Sequence, residues 1–141
     1  MNGNRNPRSR RRTEKEMDTL ENTEIIMEII ANGGNARSKA MKAIQLAQEG
    51  KFDEAKQLIG QADEDFLHAH RAQTGLIQEE VRGKKTEVSL LMVHAQDHLM
   101  NALTVRDLAK EIIALYETIE QLKKKKADET AEEPCGCPAN K

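Results

Sequence analysis

Val93-His94-Ala95-Gln96-Asp97-His98-Leu99-Met100 stands inside a segment, from about Glu87 to Lys126, that has almost no turn formers. Apolar residues recur through it at helical spacing, from Leu90 and Leu91 through Leu99, Leu108, Ile112 and Leu115 to Ile119 and Leu122. Residues three and four apart share a helix face, so His94, Asp97 and His98 project together and Asn101 continues the stripe. Two imidazoles and a carboxylate are thus set into an otherwise apolar helix. Such groups are costly to bury unless they are paired or functional.

Upstream, Gly83 and the turn Lys84-Lys85-Thr86 close a second helix, read from about Glu54 to Val81. Its inner face is read as Leu58, Ile59, Ala62, Phe66, Ala69, His70, Gln73, Leu76 and Ile77. Gly50 is a stop signal for the helix before it, and Asp53 an N-cap for this one. The first helix starts between Met17 and Thr23 and runs to about Gln48, with Asn32-Gly33-Gly34-Asn35 in its middle. Two helical glycines cost roughly 2 kcal/mol relative to alanine. Yet the face of Ile25, Ile26 and Ile29 continues in phase through Ala36, Ala40, Ala43 and Ala47. One helix with a tightly packed middle accounts for both facts. A phosphate-binding loop does not, because no strand precedes the glycines and no Gly-Lys-Ser/Thr follows. Short connections make consecutive helices antiparallel. The fold class is all-α, an up-down-up three-helix protomer.

The ends read differently from this body at 17–126. Residues 1–16 carry Arg5, Arg8, Arg10, Arg11 and Arg12 without periodicity and read as a disordered basic tail. Residues 127–141 read as an acidic flexible tail around Cys135-Gly136-Cys137, whose two thiols make no zinc site alone. The protein has 141 residues, a net charge of −2 and no basic stripe on its body, so no nucleic-acid partner is expected. No apolar run reaches bilayer length and no signal peptide stands at the start, so a cytoplasmic protein without membrane insertion is expected. With Phe52, Phe66 and Tyr116 the only aromatics, the core is aliphatic and thin. Long helices with thin cores commonly complete their burial in oligomers.

Three chemistries suit the polar stripe. It can be a satisfied polar patch. It can hold a metal: histidines at i and i+4 can share an ion, but no glutamate follows His94 as a general base, and the Glu-x-x-His repeat of di-iron bundles is absent. In an oligomer around this helix, copies of Asp97 would meet and need a cation between them. Or a histidine is a nucleophile, since a neutral imidazole can attack a phosphoryl group and become phosphohistidine.

The stretch at 93–100, preceded by Glu87-Val88-Ser89-Leu90-Leu91-Met92, closely resembles the lactose/cellobiose family of IIA components of the phosphoenolpyruvate-dependent sugar phosphotransferase system. Asn35-Ala36-Arg37-Ser38 with Gly50-Lys51-Phe52-Asp53-Glu54-Ala55 resembles the family's first helix and turn. Ala69-His70-Arg71-Ala72-Gln73-Thr74-Gly75-Leu76-Ile77 resembles its second helix. The resemblance implies a trimer packed as a nine-helix bundle. It makes His94 the phosphorylated residue and Asp97 the ligand of a divalent cation, magnesium being the expected one, at the trimer axis. His98, Gln96, His70 and Gln73 fall near the active histidine. The implied phosphotransferase accepts its phosphoryl group from HPr and passes it to a cysteine of the cognate IIB component, for import of a β-disaccharide such as lactose, cellobiose or chitobiose. A non-catalytic, metal-binding or scaffold helical oligomer is the other reading. The two tails are not part of the shared pattern.

Overall fold

Three helices account for the computed structural model, which describes residues 7–131, with side chains described over 11–130. They are α1 (Pro7–Gln48), α2 (Phe52–Val81) and α3 (Leu90–Ala131), each packed on the other two. No strand occurs among the described residues, as the missing β signatures predict. Both turns are closed by glycine. Gly50 has φ 78° and Gly83 φ 95°, the left-handed conformation that a helix stop needs. The Lys51 N–H returns to the Leu46 carbonyl at 2.9 Å, and the Lys84 N–H to the Glu79 carbonyl at 3.0 Å.

The helix starts depart from expectation. Asp53 does not cap α2: Lys51 holds that position without a side-chain bond, and Asp53 joins Glu54 in the first turn, where their charge favours the helix dipole. For α3 the cap is Ser89, whose Oγ accepts the Met92 N–H at 3.1 Å. Residues 7–16, expected to be a disordered tail, continue α1 as helix from Pro7. Proline suits a first helical position, and Arg12 pairs with Glu16 one turn on at 3.0 Å. At the other end α3 runs through Ala127 to Ala131, past its expected limit at Lys126. Residues 1–6 and 132–141, with Arg5, Cys135 and Cys137, lie outside the described residues.

Alanine dominates the core. Ala40, Ala43, Ala47, Ala55, Ala62 and Ala109 are buried around Ile59 and Ile113 at one end. Ile26, Ile29, Ala69, Leu76, Ala95 and Leu99 fill the other. Side chains this small let helix axes come to roughly 8 Å. On α2 the inner face is narrower than its periodicity suggests: His70 and Ile77 are exposed. Ion pairs join the helices at the rim, Lys39 to Asp65 at 2.7 Å and Lys110 to Asp63 at 2.9 Å.

The glycine pair on α1 does what the unbroken phase requires. A Cβ on Gly33 would stand 3.4 Å from the carbonyl carbon and oxygen of His98 and 3.5 Å from the Leu99 N, so α1 crosses α3 here backbone to backbone. At Gly34 a Cβ would meet only His98 Nδ1, at 3.8 Å, an ordinary contact. Gly34→Ala is therefore expected to stabilise the fold by up to about 1 kcal/mol, the helix-propensity difference. Thermal unfolding reads the effect, and a lowered midpoint would contradict the close-approach assignment to Gly33 alone.

Candidate functional site

The inward face of α3 is Ala95, Leu99, Ala102, Ala109 and Ile113. The His94–Asp97–His98 stripe therefore is not buried in the protomer, contrary to the premise drawn from its apolar surroundings: His94 and Asp97 are exposed and His98 is half-buried. Successive residues turn about 100° around a helix, which spreads the stripe and its neighbours over three sides of α3.

On the side facing α1 lie His98 and His94. His98 is fixed against the Gly33–Gly34 crossing, and the His94 ring meets it edge to face, centroids 4.5 Å apart and planes at 78°. That geometry holds the His94 ring while leaving it open to solvent. On the side facing α2 lies Gln96, half-buried, whose Oε1 accepts a bond from Gln73 Nε2 on α2. His70 stands on the same flank of α2, stacked on Phe66 with centroids 5.8 Å apart. Arg106 of α3 lies over the Phe66 ring, its guanidinium carbon 4.3 Å from the centroid.

Outward, away from both helices, lie Val93, Asp97 and Met100, all exposed. Asn101 donates to the main-chain oxygen of Asp97 at 2.9 Å, and the Asp97 carboxylate takes no hydrogen bond or ion pair among the described residues. Below it the same outer surface is apolar again: Leu108, Leu115 and Leu122 are 56%, 61% and 60% exposed. Few soluble monomers leave such a stripe uncovered.

The six residues singled out by sequence thus fall into two groups that one protomer does not bring together. His94 and His98 touch; Gln96, Gln73 and His70 belong to the opposite flank; Asp97 lies between. Three contributors escaped sequence reading. Ser89 carried a signal, a hydroxyl directly ahead of the Leu90-Leu91 run. The pairing of Phe66 with His70 carried one too, since the two stand four apart. Arg106 carried none, since its place over Phe66 exists only once α2 and α3 are packed. His68, for which no role was expected, is exposed on α2. Among the described residues of one protomer, no three His, Cys, Asp or Glu side chains gather as a metal site. Nor is any described helix long and apolar enough to cross a membrane.

The pattern of the family described as "PTS system, Lactose/Cellobiose specific IIA subunit" matches residues 24–117. The lichenan-specific phosphotransferase enzyme IIA component of Bacillus subtilis is 57% identical over 96 residues, covering 68% of this chain and 87% of the relative. The crystal structure of the cellobiose-specific enzyme IIA of Bacillus anthracis superposes with a TM-score of 0.70 at 52% identity, over 71% of this chain and 92% of that one. A solution structure of the Escherichia coli IIA(Chitobiose)–HPr complex gives a TM-score of 0.62 at 39% identity, over 70% of this chain and 96% of the other. Both solved relatives share the three-helix fold described above. The protein belongs to the lactose/cellobiose-specific IIA family of the sugar phosphotransferase system.

Proposed function

We propose that this protein is a phosphohistidine carrier that takes a phosphoryl group from phospho-HPr on His94 and gives it to a cysteine of a cognate IIB component. The observation that carries the reading is the state of the His94 ring: exposed on a rigid helix, and oriented by the edge-on ring of His98. A carrier needs both properties, because two different partners must reach one nitrogen in turn. In the first step a lone pair on the His94 ring attacks phosphorus as the P–N bond to HPr breaks. In the second the cysteine sulfur attacks, the His94 P–N bond breaks, and the neutral imidazole is restored. Each step asks mainly for alignment and for charge stabilisation on the transferred oxygens. The complexes are expected to be transient, with modest interfaces. A structure of a 39% identical relative with HPr supports HPr as the donor.

The sugar is a β-linked disaccharide or short glucan, given relatives named for lichenan, cellobiose, lactose and chitobiose. The carrier itself handles only the phosphoryl group, and it works in the cytoplasm beside its phosphoenolpyruvate-fed donor. Incubation with phosphoenolpyruvate, enzyme I and HPr should add one acid-labile phosphoryl group per protomer, read as intact mass. Addition of a cognate IIB should then discharge it. An unchanged mass with active carriers would contradict the reading.

The assembled form is a trimer around the outer face of α3. The support is the exposed stripe of Val93, Met100, Leu108, Leu115 and Leu122, which three copies would cover together. Asp97 then meets its two mates at the axis. Its carboxylate is free of other bonds among the described residues, and three carboxylates make an oxygen donor set that fits a hard divalent cation such as magnesium. When bound, the ion would neutralise the three like charges. A chelator is expected to lower the sedimenting mass of the wild type at low micromolar concentration. Asp97→Asn, having no charges to neutralise, should not respond. A wild type indifferent to chelation would argue against the ion.

A further inference from the structure

The first helix outruns the bundle it belongs to. The family pattern begins at residue 24 and the first buried side chain of α1 is Ile26, yet the helix starts at Pro7. Among the described residues, the outermost ion pair between α1 and the rest of the fold joins Asp18 to Lys84 at 3.3 Å. From Pro7 to Met17 the helix projects about 16 Å past that pair. Residues 11–17 of this arm are all exposed.

Charge is segregated onto the arm. Residues 1–12 hold five arginines and no acidic residue. Taking those five positive charges from the net −2 of the chain leaves −7 on the remainder. Positions 8, 11, 12 and 15, all arginine or lysine, recur at the spacing of one helix face. Arg12 pairs with Glu16 at 3.0 Å, whereas Arg11 and Lys15 form no ion pair among the described residues. The other basic run, Lys123 to Lys126, differs. Glu117, Glu120, Asp128 and Glu129 flank it and offset its charge.

An unpaired basic stripe at one end of an acidic body suits a dense negative surface that meets that end alone. A nucleic acid fits poorly: no aromatic residue stands on the arm to stack on bases, and the acidic body repels a polyanion running past it. A bilayer is planar and touches only the arm. Met17 and Leu20, 68% and 66% exposed, add apolar contact at the base of the arginines. We propose that the arm of α1 docks on the anionic phospholipid headgroups of a membrane surface, peripherally and without insertion.

The placement serves a carrier. Ile26 packs with Leu99 and Ala47 with Ile113, so α1 and α3 run parallel and the arm leaves the end of the bundle nearer His94. Gly33 is level with His98, which puts His94 level with residue 29 and the arm's tip about 33 Å beyond it. Docking therefore leaves a protein-sized gap between the bilayer and His94. In a cyclic trimer three arms leave the same end, and each engaged arm raises the effective concentration of the next.

Vesicle sedimentation of the full-length protein tests the proposal. Phosphatidylcholine vesicles with about a third phosphatidylglycerol should carry the wild type down at roughly 0.1 M salt, and pure phosphatidylcholine should not. Replacing Arg8, Arg10, Arg11 and Arg12 together by glutamine should weaken binding at least 10²-fold, at about five-fold per charge. Replacing the same four by lysine should preserve it. Circular dichroism checks that both variants keep the fold, and no step of the assay uses phosphoryl transfer, so failure of the carrier reading would leave it intact. A wild type that stays in solution with the anionic vesicles would overturn the proposal, as would equal binding to pure phosphatidylcholine or undiminished binding by the glutamine variant. Displacement from the vesicles by a short DNA duplex at equal phosphate concentration would make the partner a nucleic acid instead.

Discussion

His94→Ala is expected to give a folded protein that accepts no phosphoryl group. The imidazole is exposed, and its one ring contact is with His98, so truncation should change stability by no more than about 1 kcal/mol. The loss in transfer is of another order. Deleting a nucleophile removes the bond that the reaction forms, and effects on the order of 10³-fold or larger follow. The other histidines do not replace it. His98 is half-buried against the α1 crossing, His70 is stacked on Phe66 on the far flank, and His68 stands on the exterior of α2. Circular dichroism and transfer kinetics on one sample separate the two effects. Unfolding would point to a structural histidine, and transfer within tenfold of wild type to a different acceptor.

The second large effect is expected at a residue with no chemistry. Gly33→Val places a branched side chain where even a Cβ stands 3.4 Å from the His98 carbonyl group. Neither that group nor the Leu99 nitrogen is a side-chain tip that can swing away. Both are helix backbone, so α1 and α3 must separate. Forced overpacking of this kind costs about 1–3 kcal/mol, and the added β-branch offers little return in a helix. The expected outcome is a lowered unfolding midpoint together with slowed phosphorylation, because His98 and the ring it orients move with the helix. Adjacent Gly34→Ala has the opposite expected sign. Equal destabilisation at both positions would mean that the helices do not cross at Gly33.

These two sites mark how much is legible in the residues alone. The crossing was legible: an apolar face that keeps its phase through Gly33-Gly34 admits one helix in close contact with a neighbour, and the contact is there. The helix order and both glycine stops were legible for the same reason, since periodicity and φ > 0 are local properties. His70 was misread as inward because a long amphipathic face has soft edges, and only packing against α1 and α3 decides where burial ends. Residues 7–16 were misread because the run of arginines outweighed the helix formers and the Arg12–Glu16 pair among them. The division of the site into two flanks was not legible at all. Spacing put His94, Gln96, Asp97 and His98 on one helix, but which of them face α1 and which α2 depends on a crossing and a glutamine pair between distant segments.

The central claim is that His94 is the residue that carries the phosphoryl group. Its most direct test is localisation by peptide mass mapping, kept alkaline so that the P–N bond survives, after charging the wild-type protein with phosphoenolpyruvate, enzyme I and HPr. The expected result is one phosphoryl group, on the peptide containing Val93-His94-Ala95 and assigned by fragmentation to His94. A phosphoryl group on His98, His70 or His68, or none on any histidine, would contradict it.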